Sequence, residues 1–142
     1  MAFSTVFRSS IASLIFTATA IANIADNAAT SPITNIHISL HTADPTTGNQ
    51  TTSETNYTSY ARQPVARTTS GYTDTAGVVT NDAAITFPTA TGGSSTVSHV
   101  GNGTLVSGTG VMIVAGALTS SLAVSTGIQP QFAISALTVT VA

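Results

Sequence analysis

Three histidines, five acidic residues and three arginines are all that this chain offers for acid–base, metal or ionic chemistry. His37 and His41 stand four apart in a segment, NIHISLH, that alternates apolar and polar residues. On a strand that spacing places both rings on one face, roughly 13 Å apart by the rise per residue. A single metal ion does not span that distance without a bend, and His99 joins either ring only through the fold. The three therefore read as histidines of a polar strand face. Asp26, Asp44, Glu54, Asp74 and Asp82 are scattered among turn-like and cap-like positions, where a short carboxylate bonds nearby backbone. Sugar hydrolysis needs two carboxylates flanking one bond, and no pair here is marked out by spacing. G-x-S-x-G, H-E-x-x-H and Walker motifs are absent. The glycines at 92, 93, 101, 103, 108 and 110 read as turn residues, because no basic residue or helix start follows them to make a phosphate cradle. No catalytic, cofactor-binding or metal-ligating residue is assigned, and the chain reads as a non-enzyme. With no cysteine, disulfides, thiolate catalysis and cysteine–zinc sites are excluded together.

The remaining charges ask for partners. Arg8, Arg62 and Arg67 are the only cations besides histidine, and lysine is missing altogether. Arg62 and Arg67 flank the short segment YARQPVAR, and in so neutral a chain they suit fixed pairs with Asp or Glu, in the same subunit or a neighbour. Charged residues make up 6% of the sequence, against roughly 25% in ordinary soluble domains. Thr and Ser supply the polarity instead. Such a surface suits a protein packed against neighbours or set on a particle. A net charge of −2 with no basic run gives electrostatic nucleic-acid binding little to work with. Disorder is a poor reading too, since mean hydropathy is positive and β-branched residues alternate repeatedly.

The elements that must position these residues begin with a helix. Phe7, Ile11, Leu14, Ile15, Ala18, Ala22 and Ala25 recur at spacings of three and four, which predicts an amphipathic helix over Met1–Asn27 with Ser4 as its cap. The same segment has a rival reading as a secretory signal, with Ile11–Ala22 as apolar run and Ala20-Ile21-Ala22 as cleavage site; a single Arg and the intervening Ser13, Thr17 and Thr19 weigh against it. A membrane span is not expected, since it needs about 20 clean apolar residues. Ile36, Ile38 and Leu40 predict a strand with His37, Ser39 and His41 on its other face. The polar stretch 46–58 is long enough to project or to reach over a neighbour. Tyr60–Arg67 reads as a strand that Pro64 confines to a sheet edge or a bulge. Residues 71–77 read as turns, and Val78-Val79 as the start of a strand. Residues 84–101 suggest a hairpin or a longer strand connection around Gly92-Gly93. Val111–Leu118, Leu122–Ser125 and Phe132–Val141 complete seven or eight strands. The expected fold is mainly β: a helical arm over 1–29 and a β-sandwich or jelly-roll-like domain over 30–142.

In order and spacing, ISLHTADPTTGNQTTSETNYTSYARQPVAR, FPTATGGSSTVSHVG, GALT, STGIQPQF and LTVTV resemble a family of small tailed-phage and prophage virion proteins of the head-decoration or tail-fibre-like kind. The resemblance covers roughly two thirds of the chain. It implies a structural virion component without catalysis. The first expectation is a capsid decoration (cement) protein on the capsid surface, bridging major capsid protein subunits as a dimer or trimer, with the helix and the 46–58 loop as clamping arms. The alternative is a tail or tail-fibre component involved in host attachment. A secreted adhesin and an enzyme rank behind both. Neither nucleic acid nor membrane is an expected partner.

Overall fold

Alternating β-branched and apolar residues make most of this chain extended. The computed structural model describes residues 4–21, 24–25 and 31–141. It contains α1 (Thr5–Phe16), β1 (Asn35–His41), β2 (Gln63–Ala66), β3 (Tyr72–Thr75), β4 (Val78–Asn81), β5 (Ile85–Thr86), β6 (Ser95–Gly103), β7 (Met112–Val124), β8 (Gln131–Phe132) and β9 (Thr138–Thr140). The protein is mainly β, with three antiparallel sheets that fit a sandwich-like β domain. Among the described residues there are nine strands, one more than the sequence predicts at most. Contacts group the residues into two units, 1–35 with 66–84 and 132–142, and 36–65 with 85–131.

In the first unit α1 packs on the β3–β4 hairpin, and the sheet runs β3-β4-β9. The hairpin replaces the turn-rich interval predicted for 71–77. Its two-residue loop is Ala76-Gly77, with φ of 55° and 86°. Positive φ at both positions matches the right-handed twist of the flanking strands, and Asp74 Oδ1 accepts the Gly77 N–H at 2.9 Å. The other oxygen of Asp74 accepts the hydroxyls of Ser9 at 2.6 Å and Ser13 at 2.9 Å, fastening the helix to the hairpin. Phe16 meets Tyr72 edge to face with centroids 5.1 Å apart, and both rings are buried. Asn81 is buried and bonds backbone only. Its Nδ2 donates to Ala83 O and Ala133 O, and its Oδ1 accepts from Leu137 N.

The helix is much shorter than the predicted span of Met1–Asn27. Ser4 does cap it, accepting the Phe7 N–H. Thr17 N–H makes a last i→i−4 bond to the Ser13 carbonyl, and the helix ends there because Ala18 adopts φ of 56° and the Thr19 N–H closes back onto that same carbonyl. Arg67 donates to the carbonyls of Leu14 and Ile15, occupying the acceptors that a longer helix would use. Asn27, the last residue of the predicted span, lies outside the described residues.

The second unit holds the four-stranded sheet β2-β1-β6-β7, with β2 and its Pro64 at one edge, as proline demands. β1 and β6 are antiparallel, in a register from His37↔Gly103 to His41↔His99. Ile36, Ile38, Leu40, Tyr57, Ile85, Phe87, Ala90, Val97 and Val124 are buried. Each large apolar side chain so removed from water contributes about 1.5–3 kcal/mol. The ring of Tyr60 lies between those of Tyr57 and Phe87, with centroids 5.4 and 6.3 Å away.

Two sequence expectations change here and a third is decided between its alternatives. Residues 84–101 form the longer strand connection and not the hairpin: β5 pairs with β8, while β6 pairs with β1 and β7. Gly93 nevertheless has the positive φ, 74°, that its position suggested. The two strands predicted over 111–125 are one, β7, with a wide bulge in the register between Ala117 and Leu122. Residues 46–58 do not project. Thr42 N–H bonds Ser53 O, Thr55 N–H bonds Leu40 O, and Gln50 and Thr55 are buried. Alternation cannot reveal that a polar stretch is folded back, because its bonds are made to backbone from far away in sequence.

Candidate functional site

Arg62, which the sequence marked for an ion pair, organises the second unit. Its Nε and one terminal nitrogen each lie 2.7 Å from an oxygen of Glu54, a bidentate fork on a carboxylate. The other terminal nitrogen donates to Leu105 O at 2.9 Å, and the Glu54-bound one also reaches Gly108 O at 2.9 Å. Glu54 Oε1 takes a third bond, from the Tyr60 hydroxyl at 2.8 Å, and that hydroxyl accepts the Leu40 N–H. The Arg62 side chain is 2% exposed and that of Glu54 14%. Burial beside this carboxylate drives the Tyr60 phenol far above its ordinary pKa, so it stays a donor.

Gln50 completes the arrangement from the folded-back loop. Its Oε1 accepts Leu105 N–H at 2.8 Å, its Nε2 donates to Leu105 O at 3.2 Å, and its own N–H bonds Gly110 O. The amide fits where two glycines leave room. A Cβ on Gly103 would come within 2.1 Å of Gln50, and one on Gly110 within 2.0 Å. Gly108, at the tip, has φ of 79°, which a side chain would strain. The bond from Thr104 N–H to Val111 O closes the base of the loop. Residues 104–111 are thus held by buried side chains along their length. Yet Leu105, Val106 and Val111 are 47%, 63% and 66% exposed. The chemistry of this site is positional. The Arg62 charge is matched by Glu54 and directed at loop carbonyls, so what faces water is a fixed loop with apolar tips.

The histidines differ from their prediction. His41 is fully buried, where the sequence placed it on a polar face. Its Nδ1 lies 2.9 Å from the Thr52 carbonyl, which can only accept, so Nδ1 carries the proton. Nε2 then accepts from the Ser39 hydroxyl at 2.8 Å. Ser39 is buried as well, because the 46–58 segment covers this face of β1. Burial lowers the pKa of His41; burial and the nearby Arg62 charge lower that of His37. His99 lies across from His41 in the ladder, with Nδ1 bonded to Ser98 Oγ. Among the described residues, no three His, Asp or Glu side chains converge as metal ligands would.

The acids divide by environment. Asp44 accepts the Thr46 N–H in a local turn, which lowers its pKa. Asp74 binds the hairpin turn and the helix, and Glu54 is the ionic partner of Arg62. Asp26 lies outside the described residues. Sequence reasoning missed Gln50 and the exposed loop it holds. The one available signal was the glycine set at 103, 108 and 110, which marks close approach as well as turning.

A family model described as Podophage GP4 fiber I protein gp80 matches residues 11–140. No curated protein matches the chain at a significant level.

Proposed function

The chain belongs to the Podophage GP4 fiber I protein gp80 family, a family of tailed-phage virion proteins, and on that premise we propose that it is a structural subunit of the tail fibre. The observation that carries this reading is the family match itself, which takes in every strand and the second half of α1. The site geometry supports it. Arg62, Glu54 and Gln50 hold a loop in place, an arrangement suited to a standing contact with another protein. The chain acts without catalysing a reaction, and its partners are other virion subunits.

Capsid cement, the first expectation from sequence, drew on the family resemblance and the neutral, Thr-rich surface, with the helix and the 46–58 loop as its clamping arms. α1 is instead packed on β3–β4, and residues 46–58 are bonded back to β1. Neither is a free arm, and the family description names a fibre protein.

The test is to separate purified virions into heads and tails and to quantify this chain against the major capsid protein in each. Recovery with the tails, with antibody labelling on the fibres, is the expected result. Recovery with the heads in fixed proportion to the major capsid protein overturns the fibre role in favour of cement. Absence from both fractions overturns a virion role altogether.

A further inference from the structure

One stretch of chain has two roles in the second unit. Between Gln50 and Thr55 it covers the imidazole of His41, and it also holds the 104–111 loop. Thr52 O accepts the His41 Nδ1 proton at 2.9 Å, while Thr42 N–H bonds Ser53 O and Thr55 N–H bonds Leu40 O. From the same stretch, Gln50 reaches the loop directly and Glu54 reaches it through Arg62. Ser53 has φ of 53°, which side chains other than glycine seldom adopt, so the stretch is kept in place by these bonds and not by its own backbone preference. His41 is fully buried beneath it, with the Met112 thioether beside the ring over Gly101.

The charges around the ring balance only while it is neutral. The 46–58 segment brings Glu54, the chain ahead of β2 brings Arg62, and β6 brings His99 directly across the ladder. β1 itself carries His37, close enough to Arg62 to feel its charge, and the exposed Asp44 beyond β1 lies within reach of His99. β7 contributes the neutral Met112. Among the described residues Glu54 is the one carboxylate that acts on this ring, and Arg62 already takes both of its oxygens. Hydrogen bonding does not forbid a second proton on His41. Ser39 Oγ, 2.8 Å from Nε2, can accept a new N–H and turn its own proton to Gly101 O at 3.3 Å. What fails is the burial of a further cation beside a guanidinium, and letting water in relieves it. β6 and β7 are tied into the ladder, so the cover that can yield is the stretch over residues 50–55. We propose that His41 is an acid-sensitive latch: its protonation lifts residues 50–55 off β1 and so withdraws Gln50 and Glu54 from the 104–111 loop. Arg62 then loses its carboxylate, and Leu105, Val106 and Val111 lose the fixed backbone that presents them. A contact made through those tips is firm at neutral pH and weakens in acid.

The latch goes beyond the fibre reading and holds wherever the chain resides. Its test is amide hydrogen exchange, followed by NMR on the purified full chain at pH 7 and pH 5, with each rate divided by that of an unprotected amide at the same pH. The reporters are the N–H groups of Gln50, Thr55 and Leu105, whose bonds break when the stretch lifts; those of Asp82 and Val141, in the first unit, are the controls. A ring that titrates near 6.5 once exposed, and stays neutral while buried, raises the opening equilibrium over this range by at most about 25-fold. We expect the reporters to lose protection by about 5- to 25-fold, the controls to keep theirs, and H41Q to abolish the loss. Reporters that hold their protection overturn the proposal, as does a loss shared by the controls or one that survives in H41Q. If H41Q does not fold, the wild-type ring decides. A His41 resonance that titrates below 6.5 accords with the latch, whereas one that titrates at 6.5 or above in the folded chain gives acid nothing to act on and removes it.

Discussion

Replacing Arg62 with methionine isolates what the buried clamp contributes. Methionine keeps much of the length of the side chain and removes its charge and every N–H. The variant loses two charge-assisted bonds to Glu54 and two bonds to the carbonyls of Leu105 and Gly108. Glu54 is then left mostly buried, with the Tyr60 hydroxyl as its donor. Breaking one side of a buried ion pair costs about 3–5 kcal/mol. Two hydrogen bonds to a charged group, at about 1.5–3 kcal/mol each, reach the same range independently. Since domains are stable by about 5–15 kcal/mol, R62M should remain folded at 25 °C with a melting temperature lower by roughly 10 °C. The assay is urea and thermal unfolding followed by circular dichroism, because the chain has no tryptophan to report. A double-mutant cycle with E54Q sharpens it. Glutamine carries no charge to strand, so E54Q/R62M should be less destabilised than the sum of the single variants, by about 1–3 kcal/mol. A loss below about 1 kcal/mol for R62M, or strict additivity in the cycle, would refute the view that this pair holds the loop.

Other outcomes follow from the same unit. His41 and His37 have lowered pKa values in the folded chain, so between those values and the ordinary 6.5 the unfolded chain binds more protons. Their contribution is complete above pH 6.5 and is lost as pH falls through the folded values; the urea midpoint should drop from pH 7 to pH 5, and H41Q should flatten that drop. G110A pushes a methyl group into Gln50 and against Leu105 and should cost about 1–3 kcal/mol in urea unfolding, with partial recovery in G110A/Q50A, where the nearer of the two obstructions is gone.

The family match carries the fibre proposal, and a division of labour within the second unit supports it. Charged and amide side chains face inward to fix the backbone, while apolar and neutral groups face outward where another chain can meet them.

Local chemistry along the chain determined a good part of this protein. Alternation in NIHISLH located β1, Pro64 confined β2 to an edge, and Ser4 started the helix. The scarcity of charge pointed to a fixed partner for Arg62, and the ordered set of short motifs pointed to a phage virion protein. Each of these depends on a residue's own backbone preference or on its near neighbours, which a sequence displays. Tertiary structure decided what distant segments do to one another. It ended α1 at Phe16, where Thr19 closes back onto the Ser13 carbonyl and Arg67 occupies the last carbonyls. It turned residues 46–58 inward, burying His41 on a face that alternation marks as polar. It also brought Gln50 into the space left by Gly103 and Gly110, a match that no local pattern encodes. A buried polar group is stable only where its bonding partners are, and here those partners come from the far side of the sequence.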